Sequence, residues 1–458
     1  MTAGEGLFVV LDYTLEDLFS IDGDASNLVL VFAYPFPPTQ FSSSTKFPYQ
    51  APLWPEKEKA ILTLRRLHTL PLKHSFVAGK LPVLLLDPSS KENEGKGPEG
   101  ASRRYHADAT AVLGQLHPKQ RPKLSFIANF RDLALDADHK LVVLNPLDHL
   151  AHLSHLVDPE VHYDLLSKRG LAYSGLPTPE TFVAETTIGA NNIYSPEKLN
   201  EEIRRMICPI DTRVLPFIVK VPQATGGTGT FIIRTESERQ RAKVALQAEL
   251  RLMLRDVSPV NQHLHPCCLV FQEFIPGNSV ALSFFVTQKG RAIFIGCCTQ
   301  LFDVGGMWTG GSICYPEQPQ LEKEYAALMG QIASLLHAKG YYGAVGADIL
   351  VDPSGRQLIF DLNVRSTGSF SMGCLKGHFE GRGLPYALLY SFRLRCLQNE
   401  FRRHFQNEMG DGSLIINTWT SDLPDGSSMT SISIAAPSQQ ELKMFLAKVK
   451  AFVTMMNA

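Results

Sequence analysis

Short apolar runs recur through the first third of the chain, separated by polar and helix-forming segments. These runs do not alternate with polar residues, as is typical of strands that a sheet buries on both faces. They cover residues 7–11, 28–32, 83–86, 124–127 and 141–144. We therefore predict an open α/β domain over residues 1–156, with helices between the strands.

The middle of the chain mixes helical and strand patterns in another order, which predicts an α+β region. One helix is expected after the cap residue Ser195, with proline at its first position, and another after a capping box of Thr235 and Glu238. Apolar runs predict strands at residues 217–221, 231–233, 268–275, 280–286 and 292–298.

The last part of the chain, residues 391–458, predicts a small α+β unit. Residues 414–420 and 429–435 have the pattern of two paired strands, and Ser438 and Glu441 cap a helix that follows them. The whole fold is therefore expected to be α/β at the N-terminal end and α+β elsewhere.

Composition narrows the functional classes. The 458 residues suffice for two to four domains, and 44 basic residues nearly cancel 45 acidic ones. This balance gives no electrostatic reason to expect nucleic acid or an anionic membrane as a partner. The chain shows no targeting segment or long apolar stretch, and its eight cysteines lack the spacing of a disulfide framework. We expect a cytoplasmic protein with reduced thiols.

Residues 342–368 predict a β-hairpin with one polar face. Turn residues 352–355 separate two apolar runs, and Asp361, Asn363 and Arg365 alternate with apolar neighbours in the second run. A four-residue loop would place Asp348 opposite Ile359 and diagonal to Asp361, whereas a three-residue loop with a bulge would shift that register.

Two carboxylates and an amide oxygen on one face predict a metal site. Asp348, Asp361 and Asn363 are the candidate ligands, because hard divalent cations favour oxygen. Mg²⁺ is the expected ion, with Mn²⁺ as an alternative. Arg365 offers a guanidinium for an anionic group on the same face. The competing interpretation is an ordinary hairpin with a solvated outer face.

Two further segments predict ligand contacts. Lys220 lies in the middle of an apolar strand, where a buried ammonium requires an anion, and the glycine-rich stretch QATGGTGTF follows it. Such a loop can cover phosphates, although it can equally be a flexible hairpin. The stretch FDVGGMWTGG predicts a substrate-facing lid around Trp308, or a structural turn anchored by its indole.

The motifs together resemble those of the ATP-grasp carboxylate-amine ligases. The resemblance rests on Lys168, Lys220 with GGTG, QEFIPG, Asp348 and DLNVRSTG, and it covers residues 157–390. Residues 1–156 are similar to the pre-ATP-grasp domain of such enzymes. The layout is closest to that of pheganomycin-type peptide ligases, which carry a short C-terminal domain. The resemblance implies a nucleotide-covering subdomain, 157–277, and a metal and substrate subdomain, 278–390.

The resemblance also implies roles for individual residues. Lys168 and Lys220 would contact ATP phosphates, and Asp348, Asp361 and Asn363 would bind magnesium. The loop over the phosphates would contain Thr225, Gly226, Gly227, Thr228 and Gly229. The adenine hinge would contain Gln272, Glu273, Phe274 and Ile275. The substrate side would contain Trp308, Gly310, Arg365, Ser366 and Gly368, with Arg365 steadying an acyl phosphate.

The sequence departs from the family pattern at two places. Asn278 and Ser279 occupy positions where many members bind the ribose through an acidic residue, and Asp361 stands where glutamate is common. Ser279 is the remaining candidate for a ribose contact.

The implied function is ATP-dependent ligation. ATP would activate a carboxylate, of an amino acid or a peptide, as an acyl phosphate, and an amine would then form an amide. ADP and phosphate would be released. Lys220 and Arg365 are the candidate catalytic residues. The alternatives are a non-catalytic nucleotide-binding protein on a degenerate ATP-grasp fold and a small-molecule kinase of the same fold. The expected partners are a small carboxylate, a small amine and a second copy of the chain in a homodimer.

Overall fold

The computed structural model describes most of the chain. The described residues are 8–35, 45–50, 56–87, 101–129, 131, 133–192, 195–224, 229–302, 308–421 and 423–458.

The N-terminal part forms a parallel four-stranded sheet with helices packed against it. Its strands are β1 (Leu28–Val31), β2 (Pro82–Leu86), β3 (Lys123–Ile127) and β4 (Lys140–Val143), in the order β3-β2-β1-β4. Its helices are α1 (Leu15–Ser20), α2 (Glu56–Leu64), α3 (Leu70–Ser75) and α4 (Ala101–Leu113), with a π-helical segment (Arg65–Thr69) between α2 and α3. The predicted open α/β sheet is thus present.

The strand predicted at residues 7–11 is not formed by the part of this run that the structure describes, residues 8–11. Within the described part of this run, Val9 makes a single parallel bridge to Leu116. Val10 is 43% exposed, so the run packs one side on the core and has no place inside the sheet. The apolar pattern of this run therefore predicted its contact with the core correctly, but its prediction of a strand was wrong.

A second, antiparallel sheet has the order β5-β8-β6-β7. Its strands are β5 (Thr181–Glu185), β6 (Phe217–Lys220), β7 (Thr230–Ile233) and β8 (Cys268–Glu273). The helices that precede and cover it are α5 (Pro159–Leu166), α6 (Lys168–Ala172), α7 (Pro196–Thr212) and α8 (Glu236–Asp256). α7 and α8 pack one apolar face each on the sheet, and the buried side chains include Met206, Leu246 and Phe271.

Both predicted helix starts in this part are confirmed. Ser195 accepts a hydrogen bond from the backbone N–H of Lys198, and Thr235 and Glu238 form a complete capping box. In that box, the Thr235 hydroxyl accepts from the Glu238 N–H at 3.2 Å, and the Glu238 carboxylate accepts from the Thr235 N–H at 3.0 Å.

Replacement of Thr235 by alanine is expected to destabilise the first turn of α8 by about 1 kcal/mol, because it leaves an N–H group without its cap. Hydrogen exchange of peptides from α8 measures this local loss. Ser237→Ala, in the same exposed turn, removes a hydroxyl that does not cap the helix and serves as the control. Equal exchange in the two variants would contradict the assigned cap.

The third sheet is antiparallel and has eight strands, in the order β13-β12-β9-β10-β11-β14-β16-β15. Its strands are β9 (Asn278–Val286), β10 (Ala292–Phe302), β11 (Trp308–Cys314), β12 (Gly343–Val351), β13 (Gln357–Asn363), β14 (Tyr386–Leu394), β15 (Leu414–Thr420) and β16 (Ser428–Ala436). The remaining helices are α9 (Gln318–Ala338), α10 (Phe370–Cys374), α11 (Lys376–Glu380), α12 (Gln398–His404), α13 (Gln406–Gly410) and α14 (Gln439–Asn457).

The predicted C-terminal hairpin and its capped helix are present as β15, β16 and α14. They do not form a separate sheet, however, because β16 pairs with β14 along its whole length. The predicted domain boundary at residue 390 therefore falls inside a strand. Trp419 of β15 and Phe452 of α14 belong to the same apolar core as Leu30 and Leu85 of the N-terminal sheet.

Of the stretch predicted as a lid, residues 303–307 lie outside the described residues, whereas Trp308, Gly310 and Gly311 lie in β11, which pairs with β10 and β14. Among the described residues, no helix has the length and apolar character needed to cross a membrane.

Candidate active site

The hairpin predicted at residues 342–368 is formed by β12 and β13 at one edge of the large sheet. Its turn is stabilised by Asp352, whose carboxylate accepts from the N–H groups of Ser354 and Arg356, at 2.9 Å each. Two registers were predicted for this hairpin, one of them with a four-residue loop. Val351 pairs with Gln357, so the register with the four-residue loop was wrong. The register shifts between Asp348 and Ile349, as a bulge requires.

The bulge brings the two carboxylates together. Asp348 pairs directly with Asp361, and Ile349 pairs with Ile359, so Phe360 is the extra residue. Simple alternation predicts that Leu358 and Phe360 share the core face, but Ile359 is fully buried beside the buried Leu358. Directly opposed residues of an antiparallel pair have Cβ atoms about 4.5–5.5 Å apart. The two aspartates are therefore close enough to share one ion.

The pKa values of the two aspartates diverge, as expected for neighbouring acids. Burial, with the charge of Asp361 adding to it, raises the pKa of Asp348. Burial alone would also raise the pKa of Asp361, but the charges of Lys168 and Lys220 lower it. A divalent cation would relieve this repulsion, which makes the pair a suitable metal site.

Asn363 and Arg365 complete the polar face. The Arg365 guanidinium donates to the Asn363 side-chain oxygen at 3.1 Å. Among the described residues, no group of three or more His, Cys, Asp and Glu side chains is placed to hold a metal ion. A magnesium ion at this hairpin would be held by Asp348, Asp361 and Asn363, with phosphate and water oxygens filling its shell.

Two lysines reach this hairpin from the smaller antiparallel sheet and its flanking helices. Lys168, at the start of α6, forms an ion pair with Asp361. Its backbone N–H donates to the carbonyl of Pro222 at 2.9 Å, which fixes the helix start beside the end of β6. Lys220, the last residue of β6, is 5% exposed and donates to the Phe360 carbonyl across the cleft.

The Lys220 ammonium is held away from bulk water. Burial lowers its pKa to about 8, and the charges of Asp361 and Asp348 oppose that effect. Lys220 also donates to the side-chain oxygen of Gln272 at 2.8 Å. The two oxygens that accept from Lys220 are uncharged. A phosphate oxygen carries negative charge and would accept a stronger hydrogen bond from the same ammonium.

The glycine-rich loop is described only at its base. Thr225, Gly226, Gly227 and Thr228 lie outside the described residues. At the base, the Val221 N–H donates to the Gly229 carbonyl at 3.0 Å. A Cβ on Gly229 would approach the Ala224 and Val221 side chains to 2.3 Å and 2.4 Å, so this position requires glycine. The loop begins directly after Lys220.

The predicted hinge residues are divided between two environments. Gln272 is buried, and its side-chain oxygen accepts from the Lys220 ammonium. The Glu273 N–H donates to the Glu180 carbonyl at 2.9 Å. Phe274 and Ile275 are half-buried after the end of β8, and the Arg234 guanidinium lies 5.3 Å from the Phe274 ring centre. Ser279 pairs with Leu350 at the start of β9.

The predicted substrate residues also differ in environment. A Cβ on Gly310 would lie 1.8 Å from the Leu389 carbonyl oxygen, so the close approach of β14 explains this glycine. Gly368 contacts the Trp308 indole, and Ser366 is buried with its hydroxyl 2.9 Å from a ring nitrogen of His74. Trp308, Ser366 and Gly368 thus meet beside Arg365, where the N-terminal part contacts the large sheet.

Gln300 is a site residue that the sequence analysis missed. Its amide donates to the Asp348 carboxylate from β10, two strands away from β12 in the sheet. Gln300 follows the predicted apolar strand at residues 292–298 by two positions, after Thr299, so the run itself gave no signal for it. Only the order of the strands in the sheet brings Gln300 close to Asp348.

Two lysines lie over a carboxylate hairpin in this cleft, which is the arrangement that the resemblance to the ATP-grasp ligases predicts. Residues 192–363 match the family model described as L-aspartate–L-methionine ligase, ATP grasp. This match covers less than half of the chain. It does not test the predicted likeness to pheganomycin-type peptide ligases, which stays a prediction.

Solved structures with similar architecture include two N5-carboxyaminoimidazole ribonucleotide synthetases. That of Thermus thermophilus is 15% identical, covers 93% of this chain and 98% of its own, and has a TM-score of 0.48. That of Staphylococcus aureus, complexed with ADP, is 10% identical, covers 92% and 96%, and has a TM-score of 0.47. Phosphoribosylamine–glycine ligase of Thermotoga maritima is 13% identical, covers 91% and 94%, and has a TM-score of 0.44.

Proposed function

We propose that this protein is an ATP-dependent ligase, which activates the carboxylate of an amino acid or peptide as an acyl phosphate and transfers the acyl group to an amine. In the first step a carboxylate oxygen attacks the γ-phosphorus of ATP, and the bond to the β-phosphate oxygen breaks, which releases ADP. In the second step the amine attacks the acyl carbon, phosphate leaves, and the nitrogen loses a proton. The supporting observation is the convergence of Lys168 and Lys220 on the Asp348 and Asp361 pair.

The residues of the cleft have distinct tasks in this proposal. Lys220 and Lys168 would bind phosphate oxygens and stabilise the negative charge that gathers during transfer. A magnesium ion on the hairpin would neutralise further phosphate charge when bound. Arg365, next to Asn363 on the substrate side, would hold the carboxylate before transfer and the acyl phosphate after it. Closure of the loop after Lys220 would keep water from the intermediate.

The family match suggests where a substrate search should begin. Because the matched family is described as an L-aspartate–L-methionine ligase, these two amino acids are the first pair to test.

We propose the cytosol as the place of action, since all eight cysteines are free in the structure. The Asn278 and Ser279 pair predicts a ribose site without a carboxylate, in which Ser279 is the candidate contact.

The assay for this function is ADP release on mixing the protein with Mg-ATP, single amino acids and pairs of amino acids. We expect ADP to form in equal amount to an amide product that mass spectrometry identifies. A phosphorylated product that needs no amine would instead indicate a kinase. Absence of ADP with every pair, despite ATP binding measured by calorimetry, would contradict ligation.

A further inference from the structure

A second group of cationic side chains lies behind Arg365, in the N-terminal part of the chain. Lys73, in α3, is 4% exposed, and its ammonium lies 4.6 Å from the centre of the Trp308 ring. Within the described residues the structure gives Lys73 no hydrogen bond from its ammonium and no ion pair. A buried ammonium without an anionic partner is strongly unfavourable, so a cation in this state indicates a ligand.

Two arginines accompany Lys73. Arg65 and Arg66 lie in the π-helical segment that precedes α3, a kind of distortion that is frequent at functional sites. Arg66 is 8% exposed and donates to the Pro35 carbonyl at 2.9 Å. Burial, with the nearby charge of Arg65, lowers the pKa of Lys73 to about 7. The pKa of Arg66 is lowered to about 10, again chiefly by burial. No described acidic side chain contributes to either shift.

Contacts of His74 and Gly368 join this group to the substrate side of the active site. One ring nitrogen of His74 lies 2.9 Å from the Ser366 hydroxyl, and the other lies 2.8 Å from the Tyr34 hydroxyl. A Cβ on Gly368 would lie 3.2 Å from the Lys73 ammonium nitrogen. Burial, with the charges of Lys73 and Arg365 adding to it, lowers the pKa of His74 to about 3, so His74 is neutral and supplies no compensating charge.

One carboxylate at Arg365 would leave the Lys73 ammonium without an anion. In the proposed function Arg365 holds the carboxylate to be activated, and Lys73 lies beside Gly368, three residues further along the chain. Lys73, Arg65 and Arg66 lie outside residues 192–363, so the family match assigns them no role. Their position is instead set by the packing of α3 and the π-helical segment against the large sheet and the loop after Asn363.

We propose that Lys73, with Arg65 near it, binds a second anionic group of the carboxylate substrate, either a second carboxylate or a phosphate. This inference rests on the proposed ligase function and adds the charge class of its acid substrate. The acid would lie with its reacting carboxylate at Arg365 and its second anion at Lys73. Trp308 would cover the cationic side of the pocket, and Gly368 would leave room between the two ends.

Matched acids that differ by one charge test the proposal. The pairs are L-aspartate with L-asparagine and O-phospho-L-serine with L-serine, each assayed for ADP release with Mg-ATP and an amine. We expect the wild type to prefer the doubly charged member of at least one pair, and the preferred pair distinguishes carboxylate from phosphate. Lys73→Met should raise the KM for that acid by about 10- to 100-fold, as expected for one lost charged hydrogen bond.

Two controls separate a binding role from a structural one. Lys80→Met removes an exposed lysine that follows α3, and it should not change the KM for either acid of the preferred pair. Lys73→Met should also raise the melting temperature of the ligand-free protein, because it removes a buried charge, whereas a purely structural lysine would lower it on removal. Unchanged KM in Lys73→Met, or equal use of both members of every pair, would overturn the anion site.

Direct binding distinguishes failure of this inference from failure of the ligase function. Calorimetry without nucleotide measures the affinity of the doubly charged acids for wild type and Lys73→Met. If wild type binds a doubly charged acid, Lys73→Met does not, and no acid leads to ADP formation, the anion site is supported and the ligase chemistry is contradicted. ADP formation from singly charged acids alone, with no measurable Lys73 effect, would support the chemistry and contradict the site.

Discussion

Replacement of Lys220 by methionine is expected to lower the rate of ADP formation by about 100- to 1000-fold, equivalent to about 2.7–4 kcal/mol of barrier. The physical reason is the location of the ammonium. Lys220 is buried at the end of β6, reaches the Phe360 carbonyl of the hairpin, and precedes the glycine-rich loop. Methionine keeps the length and apolar stem of the side chain, so the sheet should retain its packing while the phosphate contact is lost.

Single-turnover rates at saturating ATP measure this effect separately from nucleotide affinity. Lys323→Met, on the exposed face of α9, is the matched control and should keep the wild-type rate. The melting temperature should not fall in Lys220→Met, because the lysine is destabilised by burial in the ligand-free protein. A rate within a factor of about three of wild type would show that Lys220 does not stabilise the transferring phosphoryl group.

The local patterns of the chain were sufficient for most of its secondary structure. Capping boxes, turn residues and apolar periodicity depend on neighbours within a few residues, and the helix starts at Ser195 and Thr235 follow from them. The run at residues 7–11 shows the limit of such reasoning. An apolar stretch reports that it is buried, but only a free position beside another strand makes it part of a sheet.

The carboxylate hairpin was predictable in chemistry but not in register. Alternation assigned Asp361, Asn363 and Arg365 to one face. The structure places Asp361 and Asn363 on one face of β13, and Arg365 follows the end of the strand and donates to Asn363. The bulge at Phe360 is what sets Asp348 opposite Asp361, and a one-residue insertion in a ladder has no reliable signature in a short apolar run. The sequence predicted only that a three-residue loop with a bulge would shift the register, and it did not predict that Asp348 lies opposite Asp361.

The residues that complete the site from distant parts of the chain were not predictable. Gln300 reaches Asp348 because β9 lies between their strands in the sheet, and Lys73 meets Trp308 because α3 packs on another part of the fold. Their significance depends on which elements are adjacent in space, which no local pattern encodes.

Replacement of Asp361 by asparagine is expected to raise the Mg²⁺ concentration needed for half-maximal rate by roughly tenfold or more and to lower the maximal rate. The substitution removes one of two opposed carboxylates and also the partner of Lys168. Asp136→Asn, at an exposed position, is the matched control. Rates measured against Mg²⁺ and against Mn²⁺ test the assignment, because a metal ligand alters both dependences whereas a lysine-positioning residue lowers the rate at every metal concentration. An unchanged metal dependence would therefore restrict Asp361 to its ion pair with Lys168 and leave the hairpin without its magnesium site.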